Sequence, residues 1–231
     1  MARQVAIVLC WSVYSFFVPS LGSAQEEGFK PLFNGMDLSG WEGRADLWCV
    51  EEGAITGRTT DENKIDRNTF LIYRGGTPGN FELRLKFKID GGNSGIQYRS
   101  RVIDPEAFVV GGYQADIDAA LQYAGINYEE QGRGILALRG QRVVLRGGDA
   151  KEVKSFGDAA EIGKVILSGQ WNDYRIVAQG NQLQHFINGA LTAEVIDEDQ
   201  ERRSAEGVLA FQLHTGPAMV VQFKEIFIKE M

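Results

Sequence analysis

Phe81-Glu82-Leu83-Arg84-Leu85-Lys86-Phe87-Lys88-Ile89 alternates apolar and polar residues without a break. Successive side chains of a strand point to opposite faces, so Phe81, Leu83, Leu85, Phe87 and Ile89 turn to a core while Glu82, Arg84, Lys86 and Lys88 face water. This is a half-buried antiparallel strand, and strand signals recur on both sides of it. Leu47 to Val50 and Ala54 to Thr56 flank a short hairpin connection, Glu51-Glu52-Gly53. Tyr174 to Ala178 and Leu183 to Ile187 flank Gly180-Asn181, and Asn188-Gly189 turns the chain into Leu191 to Ile196, which makes a meander. Val208 to His214 and Val220 to Lys229 are joined by the turn signature Thr215-Gly216-Pro217. Lys151 to Glu161 has room for one helical turn at most, and Glu198 to Ser204 reads as a charged surface loop. The 28 glycines and five prolines suit a chain of many tight turns. A dozen or so short strands without βαβ alternation predict an all-β fold, a two-sheet antiparallel jelly-roll sandwich.

The first 24 residues stand outside that pattern. Arg3 gives a positive start, Val5 to Phe17 an apolar run, and Gly22-Ser23-Ala24 a small-residue cleavage site, the three parts of a secretory signal. The run is shorter than the roughly 20 residues of a spanning helix. Cys10 lies too early, and without a small residue before it, for a lipoprotein anchor. Residues 25–231 are then one domain, exported to the periplasm or the exterior and not inserted in a membrane after cleavage. Cleavage removes Arg3 and takes the net charge from −7 to −8. With no basic cluster, nucleic acid is excluded as a partner and a small or neutral ligand is favoured. Cys49 is the one cysteine left, so no intrachain disulfide forms; between Trp48 and Val50 it reads as a core thiol. One cysteine with His185 and His214 cannot build a cysteine or zinc-finger metal site. The oligomeric state is not legible.

Two strands break the apolar-in, polar-out habit. In Asn93-Ser94-Gly95-Ile96-Gln97-Tyr98-Arg99-Ser100-Arg101, parity puts Gln97, Arg99 and Arg101 on one face, and in Gly111 to Asp118 it does the same for Gln114, Asp116 and Asp118. Adjacent strands would set Arg99 near Asp116, either as a surface ion pair or as a charged grip on a ligand. Tyr128-Glu129-Glu130 runs into Gly132-Arg133-Gly134, delivering a phenol, two carboxylates and an arginine to one loop; Glu129 is placed slightly ahead of Glu130 as the cleft carboxylate. Asp116, Asp118 and Glu129 offer oxygen to a hard cation such as calcium, although no calcium-loop spacing is present. His214 shares the parity of Gln212 and is the first choice for a general acid or base. His185 has the parity of Leu183 and Ile187 and reads as a packed structural histidine. No nucleophile elbow, phosphate loop or metalloprotease helix occurs, nor the compact acidic pair of jelly-roll glucanases.

Five segments together resemble the 3-keto-disaccharide hydrolase family: Pro31 to Trp41, Trp48 to Gly57, Asn93 to Arg99, Gly112 to Asp116 and Val221 to Ile226. The resemblance spans nearly all of Phe29 to Lys229 and implies a concanavalin A-like jelly roll. It also implies cleavage of 3-keto-glycosides by C2 proton abstraction and 1,2-elimination, with water addition giving net hydrolysis. On that chemistry His214 or Asp116 is the expected base, Arg99 with Gln97 or Gln114 holds the enolate, and Glu129 or Glu130 protonates the leaving oxygen. Tyr128 and Arg133 complete the expected sugar contacts, and no resident cofactor is expected. The same jelly roll also serves as a non-catalytic carbohydrate-binding module, which is the alternative.

Overall fold

A computed structural model of the chain describes residues 27–231, so the expected secretory signal lies outside the described residues. The strands run in chain order β1 (Lys30–Pro31), β2 (Trp41–Glu42), β3 (Trp48–Glu51), β4 (Ala54–Thr59), β5 (Thr69–Tyr73) and β6 (Phe81–Asp90). There follow β7 (Asn93–Asp104), β8 (Val109–Asp118), β9 (Asn127–Glu130), β10 (Gly134–Ala137), β11 (Gln141–Arg146) and β12 (Ala150–Ser155). After the single-turn helix α1 (Ala159–Gly163) come β13 (Asn172–Gln179), β14 (Gln182–Ile187), β15 (Ala190–Asp197), β16 (Val208–Leu213) and β17 (Met219–Glu230). Asp158 caps α1 by accepting from the N–H groups of Ala160 and Glu161.

Ten strands make one sheet, in the order β12-β11-β15-β14-β13-β6-β17-β4-β3 with β1 beside β17, and seven make the other, β10-β9-β8-β7-β16-β5-β2. Strand β6 carries the alternating stretch in the middle of the larger sheet, with its five apolar residues buried. They meet Ile96, Tyr98, Tyr113 and Phe211 of the smaller sheet in one core. Phe211 and Phe223 stack across it with ring centroids 3.9 Å apart. Each such side chain contributes roughly 2 kcal/mol of burial.

The meander of β13, β14 and β15 is present as the sequence predicts. Three details differ. Strand β11 pairs with β15 in parallel, reached through the long connection from β12 to β14 that parallel pairing requires. Thr215-Gly216-Pro217 closes no hairpin, because β16 and β17 belong to different sheets and the core lies between them. Cys49 is exposed, since Trp48 takes the inward position of β3.

On its outer face the smaller sheet has two halves. Phe70, Ile72, Val110 and Ala210 form a second apolar cluster with Val102, Phe108 and Val208. The loop after β7 is tied down there, Phe70 N–H donating to Phe108 O and Thr69 Oγ1 to Ala107 O. The other half carries the polar side chains.

Candidate active site

Along β8 the residues Tyr113, Ala115 and Ile117 enter the core, so Gln114, Asp116 and Asp118 take the outer face. Pairing sets Gln97 of β7 opposite Gln114 and Gly95 opposite Asp116. On the other side Tyr128 of β9 lies opposite Gln114, and Glu130 opposite Gly112. A Cβ on Gly95 would stand 2.4 Å from Gln114 Cδ, so Gln114 occupies the space that glycine leaves.

The amides form a directed chain between two carboxylates. Ser100 Oγ donates to Gln97 Oε1, Gln97 Nε2 to Gln114 Oε1, and Gln114 Nε2 to Asp116 Oδ1, each at 2.6 Å. Gln114 Nε2 also reaches Gln212 Oε1 at 3.4 Å, and Gln212 Nε2 donates to Glu130 Oε2 at 3.3 Å. Asn68 Nδ2 donates to Glu130 Oε1 at 3.2 Å while its own oxygen accepts from Thr215 N–H. An ionised carboxylate only accepts, so Gln114 turns its NH₂ to Asp116, Gln212 and Asn68 turn theirs to Glu130, and Gln97 follows by donating to the oxygen of Gln114. Gln97 and Gln212 are fully buried beneath it.

Above this floor lies a cavity of about 430 Å³, lined by Asn68, Asn93, Gln114, Asp116, Tyr128, Glu130 and His214, with Tyr123, Ile126 and Ile135 as an apolar wall. Its size and mixed lining suit a sugar ring. Burial pushes the pKa of Asp116 up to about 7, opposed by hydrogen bonds from Gln114 and Asn93 and reinforced by Glu130 and Asp118. A carboxyl tuned there both takes and gives a proton near neutral pH. Burial, then Glu130 and Asp116, raise the Tyr128 phenol, which therefore stays an O–H donor. His214 turns Nδ1 to Thr215 O; a carbonyl only accepts, so Nδ1 carries the hydrogen and Nε2 is the ring nitrogen left to exchange a proton. Asp118 accepts from the N–H groups of Ala120 and Tyr123, which shapes the loop forming the apolar wall.

Arg99, Glu129 and Arg133 are placed away from this cavity. Register skips between Tyr98 and Arg101, and Arg99 sits in the resulting bulge with φ 46°. The extra residue breaks strict alternation. Its guanidinium therefore reaches Gly79 O, Gly180 O and Asn80 Oδ1 instead of Asp116. Arg101 is exposed. Glu129 has the opposite parity to Tyr128 and Glu130; its Oε2 meets Arg133 Nε at 2.5 Å, and Arg133 Nη2 reaches Asp197 at 2.6 Å. Tyr113 Oη donates to the same Asp197. His185 is a core histidine, donating from Nδ1 to Ile126 O and accepting at Nε2 from Tyr98 Oη, with burial pulling its pKa down to about 3. Asn68 and Tyr123 have no counterpart among the sequence candidates. Asn68 sits in a loop with no periodicity to read, whereas an aromatic two residues before Gly125 was a weak visible signal. Among the described residues no group of three or more His, Cys, Asp or Glu side chains is arranged to hold a metal ion, and no helix is long and apolar enough to cross a membrane.

A two-sheet jelly roll with a sugar-sized polar cleft on one sheet defines a class of carbohydrate-active domains. The chain belongs to the 3-keto-alpha-glucoside-1,2-lyase-like domain family, whose model matches residues 28–229. Among solved structures it is similar to a Parabacteroides distasonis protein provisionally described as a glycosyl hydrolase, with 18% identity, TM-score 0.58, and 88% of this chain and 99% of that one covered. It is also similar to the carbohydrate-binding module CBM66 from Bacillus subtilis, with 16% identity, TM-score 0.52, and coverage of 83% and 96%. A Bacillus subtilis protein with a galectin-like fold matches at 10% identity and TM-score 0.54, covering 84% and 90%. At these identities the likeness is one of fold. No curated protein sequence matches the chain.

Proposed function

We propose that the protein is an exported enzyme that cleaves 3-keto-glycosides by 1,2-elimination, with water addition giving net hydrolysis. The observation that carries this is Asp116, a buried carboxyl poised near pH 7 on the floor of a cavity it shares with His214 and Tyr128. Family membership supports the choice of substrate class, and the pattern of residues 1–24 supports export to the periplasm or exterior.

The ketone at C3 acidifies the C2 proton. Asp116 takes that proton, and the C–H electron pair moves into an enolate whose oxygen receives the Tyr128 O–H. As the enolate collapses, C3=O is restored, C1=C2 forms, and the aglycone oxygen leaves C1 with a proton from His214 protonated at Nε2. Addition of water then returns hydroxyl to C1 and a proton to C2. Gln114 spends its amino group on Asp116 and Gln212, so it positions the base. Arg99 and Glu129, placed elsewhere, have no part in these steps.

Aglycone release from a 3-keto-glucoside and from the same glucoside with a C3 hydroxyl tests the proposal. Release is expected from the ketone alone. Equal release from both, or binding of the keto-sugar without release, would overturn it, the second result making the domain a binding module.

A further inference from the structure

Arg99 is 1 % exposed, yet no carboxylate lies within ion-pair distance of it among the described residues. Its Nε donates to Gly79 O at 2.8 Å, Nη1 to Gly180 O at 2.7 Å and Nη2 to Asn80 Oδ1 at 3.0 Å. A guanidinium has five N–H groups, so each terminal nitrogen keeps one. Burial works against the charge and lowers the proton affinity of the group.

The guanidinium borders a cavity of about 320 Å³ at one end of the sandwich, walled by Asn80, Asn181, Arg203, Ser204 and Ala205. None of these lines the cleft on the smaller sheet. The wall is held close: a Cβ on Gly207 would stand 2.4 Å from Ser100 O, so the segment carrying Arg203 presses on the bulge itself. Arg203 is exposed, and its side chain has no partner among the described residues. A clamp on three loops explains the three bonds that Arg99 makes. It does not explain a buried positive charge without a counter-charge, nor a second guanidinium at the same cavity.

We propose that this cavity is an anion site, binding a carboxylate or sulfate group between the two remaining N–H groups of Arg99 and the guanidinium of Arg203. Paired N–H groups suit two oxygens of one oxyanion. The group is either a free anion or the charged substituent of an acidic saccharide. The site is independent of the chemistry proposed for the cleft.

Titration calorimetry on the full chain, at constant ionic strength with sodium chloride as background, tests this with sodium sulfate, sodium acetate, methyl glucuronoside and methyl glucoside. Saturable binding of sulfate or acetate identifies a free-anion site; binding of the glucuronoside alone identifies a saccharide site; methyl glucoside should not bind there. Arg203→Ala is expected to weaken binding at least tenfold, and Asp116→Asn to leave it unchanged. Arg99→Lys, which removes the paired N–H groups, is also expected to weaken binding at least tenfold; should it not fold, Arg203→Ala decides alone. No saturable binding of any of the three anions, or equal binding by Arg203→Ala, would overturn the proposal.

Discussion

At the scale of single residues, Asp116 is the proposed base and carries a stability cost. Its folded pKa of about 7 lies above the ordinary 3.8, so the folded state holds the extra proton between those values. Stability is therefore lost as pH rises from about 4 through 7, at up to roughly 1.4 kcal/mol per pH unit. Asp116→Asn should be more stable than wild type at pH 8 in urea unfolding, with the gap closing toward pH 4. It should also lose about a hundredfold or more in kcat/KM. Equal stability at pH 8 would contradict the burial cost. Neighbouring glutamates separate the same way. Glu130→Gln should lower kcat/KM at least about tenfold, because the NH₂ of either Asn68 or Gln212 would then face another NH₂ in place of an acceptor oxygen. Glu129→Gln breaks the buried contact with Arg133 and should cost about 3 kcal/mol of stability while kcat/KM stays within about twofold. The reverse pattern, measured by steady-state kinetics and denaturant midpoints, would move the cleft to the other face of β9.

At the scale of elements, the pairing of β7 with β8 decides which side chains meet. Gly95→Ala should push Gln114 off Asp116 and cut activity more than stability, a split that kinetics and a thermal melt together would reveal. Much of this was legible. Alternation in Phe81 to Ile89 announced the core strand, and the parity of Gln114 and Asp116 put them on one face, as β8 has them. Gln212 and His214 also follow their predicted parity onto the cleft. Arg99 was not legible, because a bulge adds one residue and no local pattern in Tyr98-Arg99-Ser100 marks where pairing skips. Glu129 and Glu130 were adjacent and chemically alike. Choosing between them needs the register of β9 on β8, which a single strand does not carry. Cys49 and Trp48 posed a similar choice, settled by the larger ring entering the core.

Across the whole molecule, the packing of the two sheets carries its own pH dependence. His185 sits fully buried between Tyr98 and Ile126, with a folded pKa of about 3 against 6.5 in the open chain. The unfolded chain binds the extra proton between those values. Stability should therefore be full above about pH 6.5 and fall as pH drops toward 3, by about 1.4 kcal/mol per unit. Urea unfolding in an Asp116→Asn background, where the opposing carboxyl no longer titrates, checks the slope across that range, and adding His185→Gln should flatten it. This trend runs opposite to that of Asp116. The core favours neutral pH and the cleft carboxyl disfavours it, as expected where a site keeps a group that the fold alone would not choose.

Proton removal at C2 is the central claim, and the hydrogen at C2 reports on it directly. The protein is incubated with a 3-keto-glucoside in deuterated water, beside a protein-free control, and the released sugar is read by NMR. Elimination followed by hydration predicts deuterium at C2 of the product beyond the control, and neither release nor exchange with Asp116→Asn. Aglycone release with protium fully retained at C2 would contradict it.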